Sequence, residues 1–252
     1  DSQHKKGGHV ERLPNQSGWG WLVVPDRLAI IRVIVCDIDD TLYHHPEYHA
    51  AGTRGEISAV AEILGAQTDE LISYETMHTR VMARRQELSA LFSRPAGMTE
   101  TVRSFGIMQE QWDEFRCRVW QPEQWLSPDE EVCKTLCSLN QRYRIVFGTN
   151  SPIDVGRRVL ATLGVDKAIP DTPIFGSDTL GISKPHADFF MRIAERMGFA
   201  PHHCIAIGDR TEMDGTPALA AGYAGAIIVP GGRDVFISAA YDLINQNRED
   251  MS

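Results

Sequence analysis

Several features that the 252-residue sequence lacks narrow the possibilities first. No apolar run approaches the ~20 residues of a membrane-spanning helix, and the start shows no basic segment followed by an apolar one, so neither a span nor a secretory leader is expected. The five cysteines, at 36, 117, 133, 137 and 204, contain no Cys-x-x-Cys pair, and an odd number gives no support to a closed disulfide framework. Cys133 and Cys137 share a helix face without a histidine pair beside them and read as packing residues, while Cys36 and Cys204 lie in apolar runs where a thiol behaves as a small hydrophobe. Positive charge is scarce as well. The 25 Lys and Arg are outnumbered by 34 Asp and Glu, and a net charge of −9 argues against nucleic-acid or anionic-membrane partners. The expectation is a soluble cytoplasmic protein, monomer or homodimer.

What is present is an ordinary globular composition, 42% hydrophobic, enough for one sizeable core carrying an insertion. Residues 30–36 are apolar apart from Arg32 and stop at Asp37, Asp39 and Asp40. A buried parallel strand that delivers carboxylates to the carboxyl edge of a sheet has this form. Such crowded negative charge calls for a cation or for protonation, although aspartates also cap ordinary turns.

Further strands are expected at 143–148, 172–175, 204–208 and 226–229, alternating with helices at 128–139, 153–163, 187–197, 217–221 and 235–245. Trp19, Trp21 and residues 22–24 are expected to add a strand, with a turn at Pro25-Asp26. Residues 43–51, with three histidines and a proline, read as a loop. Helical patterning then dominates to about residue 127, with one helix ending at Gly65, a second opening at 68–71 and running to Phe92, and shorter ones at 98–105 and 109–120. The fold class is therefore α/β, a Rossmann-like doubly wound parallel sheet with an inserted all-helical domain. The expected division is an N-terminal extension over 1–30, a core of 31–43 and 128–252, and a helical domain over 44–127.

Polar residues recur just past the strand ends: Asp37 and Asp39, Thr149 and Asn150, Lys184 after a loop, and Asp209 with Asp214. Ligands bind at that edge of an open α/β sheet. Carboxylates from separate strands suit a hard cation such as Mg²⁺, Lys184 offers a point charge to a phosphate or to the acids, Thr149 with neighbouring backbone amides offers donors to phosphoryl oxygens, and Asn150 reads equally as loop stabilisation or substrate contact. One carboxylate can then act as nucleophile and another as general acid and base.

Asp37-Ile38-Asp39-Asp40-Thr41, Thr149, Lys184-Pro185 and Gly208-Asp209 with Asp214 resemble, in order and spacing, the four motifs of the haloacid dehalogenase-like (HAD) superfamily over residues 31 to about 232. The resemblance implies Asp37 as a nucleophile that becomes an aspartyl phosphate, and Asp39 as general acid and base with its backbone carbonyl on Mg²⁺. It also implies Thr149 and Lys184 at the phosphoryl group, Asp209 on the metal and Asp214 as a second acid there. The helical insertion resembles the C1 cap of subfamily I. The second aspartate, Asp39, resembles the phosphatases and phosphomutases rather than the dehalogenases that form a carbon ester. Asp40 and Arg210 depart from the family pattern, where a small residue or Asn is usual.

The expected activity is a Mg²⁺-dependent phosphomonoester hydrolase acting on a small phosphorylated metabolite, a sugar phosphate or nucleoside monophosphate. A phosphomutase shares every motif residue. A phosphoacceptor signalling domain shares the acidic cluster, Thr and Lys, but such domains are shorter and have no helical insertion. Ser151 is expected to cap the helix after Asn150. His44 and His45 read as surface loop residues or substrate contacts, and His78, Arg80, Arg84 and Arg85 as a solvated helix face or an anion site. Trp112, Trp120 and Trp125 read as packing or as cavity lining.

Overall fold

The computed structural model describes residues 18–23 and 28–249. The turn expected at Pro25-Asp26, and most of the extension expected over 1–30, lie outside the described residues.

Among the described residues, six strands form one sheet: β1 (Gly20–Val23), β2 (Val33–Cys36), β3 (Arg144–Gly148), β4 (Ile174–Phe175), β5 (Cys204–Gly208) and β6 (Gly225–Ile228). Their order is β1-β6-β5-β2-β3-β4, parallel except for β1, which runs antiparallel to β6 at the edge. Helices follow in chain order: α1 (Pro46–Thr68), α2 (Tyr74–Phe92), α3 (Met98–Arg103), α4 (Gln109–Val119), α5 (Glu130–Asn140), α6 (Ile153–Leu163), α7 (Val165–Ala168), α8 (Ser177–Leu180), α9 (Ala187–Met197), α10 (Thr216–Ala220) and α11 (Arg233–Glu249).

Strands β2 and β5 are buried along their whole length because helices cover both faces of a parallel sheet. Val33 and Val35 point into a cluster with Phe189, Phe190 and Ile193 of α9. Ile34 and Cys36, alternate in the strand, face the opposite layer, where α5 and α11 bury Val132, Leu136, Leu139, Phe236 and Leu243. Helix α5 begins where expected. The Asp129 carboxylate accepts from the amides of Glu131 and Val132 at 3.1 and 3.0 Å, and Arg233 at the start of α11 pairs with Asp129 and Glu131. Gly164, with φ +83°, closes α6 in the left-handed conformation that glycine adopts without strain.

Residues His45–Trp125 form one compact unit, and the described residues on either side of it form another. The helical unit contains α1 to α4 around Ile57, Val60, Leu64, Met77, Val81, Val102 and Trp112. Three expectations are corrected here. The loop expected over 43–51 becomes helix at Pro46, whose missing N–H costs nothing in a first turn, and His45 Nδ1 accepts from the Tyr48 amide at 3.2 Å as the cap. The helix also passes through Gly52, Gly55 and Gly65. A Cβ on Gly52 would stand 2.5 Å from the Trp120 ring, so that glycine permits close packing and does not break the helix. The second helix does not open at Thr68. Asp69 ends α1 in the left-handed region, and α2 starts at Tyr74 with Ser73 accepting from the Thr76 amide at 3.2 Å.

Trp112 is fully buried, whereas Trp120 donates its indole N–H at 2.9 Å to Glu56, which also pairs with buried Arg116 at 3.0 Å. Arg84 pairs with Glu87, and the Arg85 Nε donates to the Ala96 carbonyl at 2.7 Å, so two residues of the basic face serve the unit's own structure. Among the described residues, no helix is long and apolar enough to cross a membrane.

Candidate active site

The parallel register decides which residues meet. Cys36 lies opposite both Phe147 and Ile207, so Asp37 leaves β2 level with Gly148 and Gly208, and Thr149 and Asp209 follow immediately at the same edge. The Asp37 amide continues the ladder by donating to the Ile207 carbonyl at 2.8 Å, and the Thr149 amide donates to Phe175 at 3.0 Å.

Asp37, only 7% exposed, accepts from the Thr41 hydroxyl at 3.1 Å on one oxygen and from the Lys184 ammonium at 2.5 Å on the other. Lys184, 6% exposed, also donates at 2.7 Å to Asp214, which is 2% exposed. Asn150 fixes the lysine's main chain from both sides, accepting from the Lys184 amide at 2.8 Å and donating to its carbonyl at 3.0 Å. The structure thus gives Asn150 a positioning role where the sequence left loop stabilisation and substrate contact open.

Asp214 sits in a wide turn, Thr211–Gly215, and its other oxygen accepts from the Arg210 amide at 3.2 Å. Gly208 makes room for it, since a Cβ at 208 would overlap the Asp214 carboxylate. Carboxylate oxygens of Asp37, Asp209 and Asp214 lie within 4.8 Å of one another. One oxygen of Asp209, Oδ1, is buried with no hydrogen-bond partner among the described residues, while Oδ2 lies 3.5 Å from the Arg210 guanidinium. An all-oxygen, all-anionic donor set with an unsatisfied buried atom fits a hard divalent cation.

The electrostatics agree with that fit. An ion pair with Lys184 would ordinarily lower the Asp37 carboxyl, yet it is pushed up to about 8, chiefly by burial, with repulsion from Asp214, Asp209 and Asp39 added. Burial alone would lower the Lys184 ammonium, but Asp214 and Asp37 more than offset this and hold it above its ordinary range. Asp209 is pushed up to about 6 by burial and by Asp214, against the opposing charge of Arg210. Burial is thus the leading cause for the two carboxyls, and the two facing acids are the cause for the lysine.

Asp39 stands apart from this cluster. Its Oδ1 accepts from the Tyr43 hydroxyl at 2.6 Å, and its Oδ2 from Ser151 at 3.1 Å and Thr149 at 3.3 Å. The Thr149 hydroxyl in turn accepts from the Ser151 amide at 3.0 Å. Pro152 stands at the N-cap position of α6, one residue after Ser151. The amide of Ile153 at the start of α6 donates to Asp178 instead, at 3.1 Å. Asp40 adopts φ +56° in the turn and contacts His44 at 2.8 Å. The sequence places Tyr43 only in a loop and Ser151 only as a helix cap, and the signal available for a role at Asp39 is their hydroxyls, four residues after Asp39 and two after Thr149.

A sequence model described as haloacid dehalogenase-like hydrolase matches residues 31–222. The glyceraldehyde 3-phosphate phosphatase of Methanopyrus kandleri is 25% identical over 189 residues, spanning 73% of this chain and 78% of that protein. Among solved structures, a haloacid dehalogenase-like hydrolase from Xanthomonas campestris is 13% identical with a TM-score of 0.49, covering 88% of this chain and 95% of the other. A magnesium-bound putative hydrolase from Bacillus subtilis is 18% identical with a TM-score of 0.47, covering 77% and 84%. Because the matched stretch takes in every strand end that contributes a carboxylate to the cluster, together with Thr149 and Lys184, the chain belongs to the haloacid dehalogenase-like hydrolase family.

Proposed function

We propose that the protein is a Mg²⁺-dependent phosphomonoesterase that acts on a small phosphorylated metabolite through an aspartyl phosphate at Asp37. The observation that carries this reading is the separation of two aspartates only two residues apart. Asp37 is paired with a cation and clustered with other acids, whereas among the described residues Asp39 is held by the hydroxyls of Tyr43, Ser151 and Thr149. Environments that differ in this way assign different roles to two like groups.

Asp37, Asp209 and Asp214 would hold the metal, with the main-chain carbonyl of Asp39 beside them. Bound there, Mg²⁺ would displace protons from the carboxyls and offset the charge of the phosphate dianion. A carboxylate oxygen of Asp37 forms a bond to phosphorus as the ester P–O bond breaks, and Asp39 gives its proton to the departing oxygen. Water then attacks phosphorus, Asp39 takes a proton back, and Asp37 is released with inorganic phosphate. Lys184 keeps Asp37 oriented and supplies positive charge to the transferring group, and the Thr149 hydroxyl lies at the same edge. Residues of the helical unit, read as a cap, would select the substrate.

The relative from Methanopyrus kandleri supports a short phosphorylated aldehyde or sugar phosphate as substrate class. The test is phosphate release from a panel of glyceraldehyde 3-phosphate, hexose phosphates and nucleoside monophosphates, with Mg²⁺ and with EDTA. Turnover that requires a bisphosphate activator and releases no phosphate would instead indicate a mutase.

A pH effect follows from the carboxyl shifts. Asp37 and Asp209 have folded values of about 8 and about 6 against an ordinary 3.8, so the metal-free fold keeps protons that the unfolded chain releases. Their contribution to stability is present below about pH 4 and is lost as pH rises through 6 to 8. Bound at these carboxylates, Mg²⁺ would take the place of those protons. The rise in melting temperature on adding Mg²⁺ is therefore expected to be larger at pH 8 than at pH 5.5, and an equal rise at both would contradict the metal assignment.

A further inference from the structure

We propose that Tyr43 and Ser151 are positioning residues that hold the Asp39 carboxyl by its two oxygens, one each, aimed for proton transfer. The inference rests on the reading of Asp39 as general acid and base. Tyr43 is 5% exposed, and its hydroxyl donates to Asp39 Oδ1 at 2.6 Å, the shortest of the three bonds that Asp39 accepts. The backbone between them sets this geometry. The Leu42 amide donates to the Ile38 carbonyl at 3.0 Å, and both side chains are fully buried, so the turn is anchored in the core and carries Tyr43 back across Asp39. Ser151 arrives from the end of β3 and takes Oδ2 at 3.1 Å.

The chemistry of the donors distinguishes this arrangement from ordinary satisfaction of a buried phenol. Asp37 is held by one hydroxyl, that of Thr41, and by the Lys184 ammonium, a donor with no acceptor lone pair. A hydroxyl can both donate and accept, so Tyr43 and Ser151 can hold Asp39 as a carboxylate and, by turning their O–H, as a carboxylic acid. A group that gives a proton in one half-reaction and takes one in the next needs both states in a single orientation.

General acid catalysis matters most for a poor leaving group, which separates positioning from mere structural support. The experiment compares kcat/KM for glycerol 3-phosphate and for p-nitrophenyl phosphate in the Mg²⁺-loaded full chain and in Tyr43→Phe and Ser151→Ala, with melting curves for each. General acid–base catalysis contributes about 10²–10⁴-fold, and loss of one positioning hydroxyl is expected to remove about ten-fold of it for the alkyl ester. The nitrophenyl ester is expected to lose about three-fold or less, with KM for the alkyl ester within about two-fold of the parent. Equal losses on both esters, or no loss in either variant, would overturn the inference. Ser151→Ala decides the matter if Tyr43→Phe does not fold. An Asp39→Asn variant that turned over glycerol 3-phosphate as fast as the parent would instead remove the acid–base reading beneath it.

Discussion

Asp37→Asn is expected to lower kcat for phosphomonoester hydrolysis by at least about 10⁴-fold, the scale seen when a covalent nucleophile is removed. The amide keeps the shape of the side chain, with its one oxygen placed to accept from Lys184 and its NH₂ to donate to the Thr41 hydroxyl, but it has no anionic oxygen to bond to phosphorus. The fold is expected to survive. Because the Asp37 carboxyl is pushed up to about 8, the buried site already favours an uncharged group there below that pH. Without metal at pH 8, the variant is expected to melt no lower than the parent, since one of the mutually repelling carboxylates has gone. With Mg²⁺ the order reverses, because a metal donor has been lost. Undiminished turnover in a correctly folded variant would remove Asp37 from its proposed role.

Lys184→Met is expected to harm both stability and activity. Methionine fills a similar volume, but Asp37 and Asp214 then share no cation, and both are almost fully buried. Removing one partner of a buried ion pair costs about 3–5 kcal/mol, because the remaining charge has neither water nor a counter-ion. The cost is expected to be greatest in metal-free protein at pH 8. It is expected to shrink toward pH 5, where the Asp37 carboxyl takes up a proton in place of the lysine. Mg²⁺ should restore part of the stability, whereas kcat/KM stays down by about 10²–10³-fold for want of charge at the transferring phosphoryl group. Urea unfolding at the two pH values, with and without Mg²⁺, checks the first part, and steady-state kinetics the second. Parental stability under metal-free conditions at pH 8 would mean that the cluster does not depend on this ammonium.

The contrast between Asp37 and Asp39 explains how much of the site was legible in the sequence. Buried parallel strands read as continuous apolar runs, and where such a run stops at a polar residue the sheet edge is found. The ends of three such runs put Asp37, Thr149 and Asp209 at one edge, and the register of β2 with β3 and β5 brings them level. Pairings across long stretches of chain were not legible. Ser151 meets Asp39 across 112 positions, and nothing local distinguishes it from a helix cap. Tyr43 looked like the first residue of a histidine-rich loop because Pro46 reads equally as a turn or as the first turn of a helix. The glycines of α1 were ambiguous for a related reason. Gly52 costs the helix intrinsic propensity, and only the Trp120 ring pressed against it shows what that cost permits. The six-stranded order, with β1 closing the edge against β6, follows from packing that the short run 19–24 only suggested.

The most direct test of the account is to trap phosphate on Asp37. In Asp39→Asn, phosphoryl transfer from p-nitrophenyl phosphate needs no proton, whereas the following attack by water has lost its base, so the acyl phosphate is expected to accumulate. Rapid mixing with Mg²⁺ should release a burst of p-nitrophenol ahead of inorganic phosphate. Acid quenching and borohydride reduction should then leave the Asp37 side chain reduced to an alcohol in the peptide that carries it. Simultaneous release of nitrophenol and phosphate at every time point, with that peptide unchanged, would contradict nucleophilic attack by Asp37.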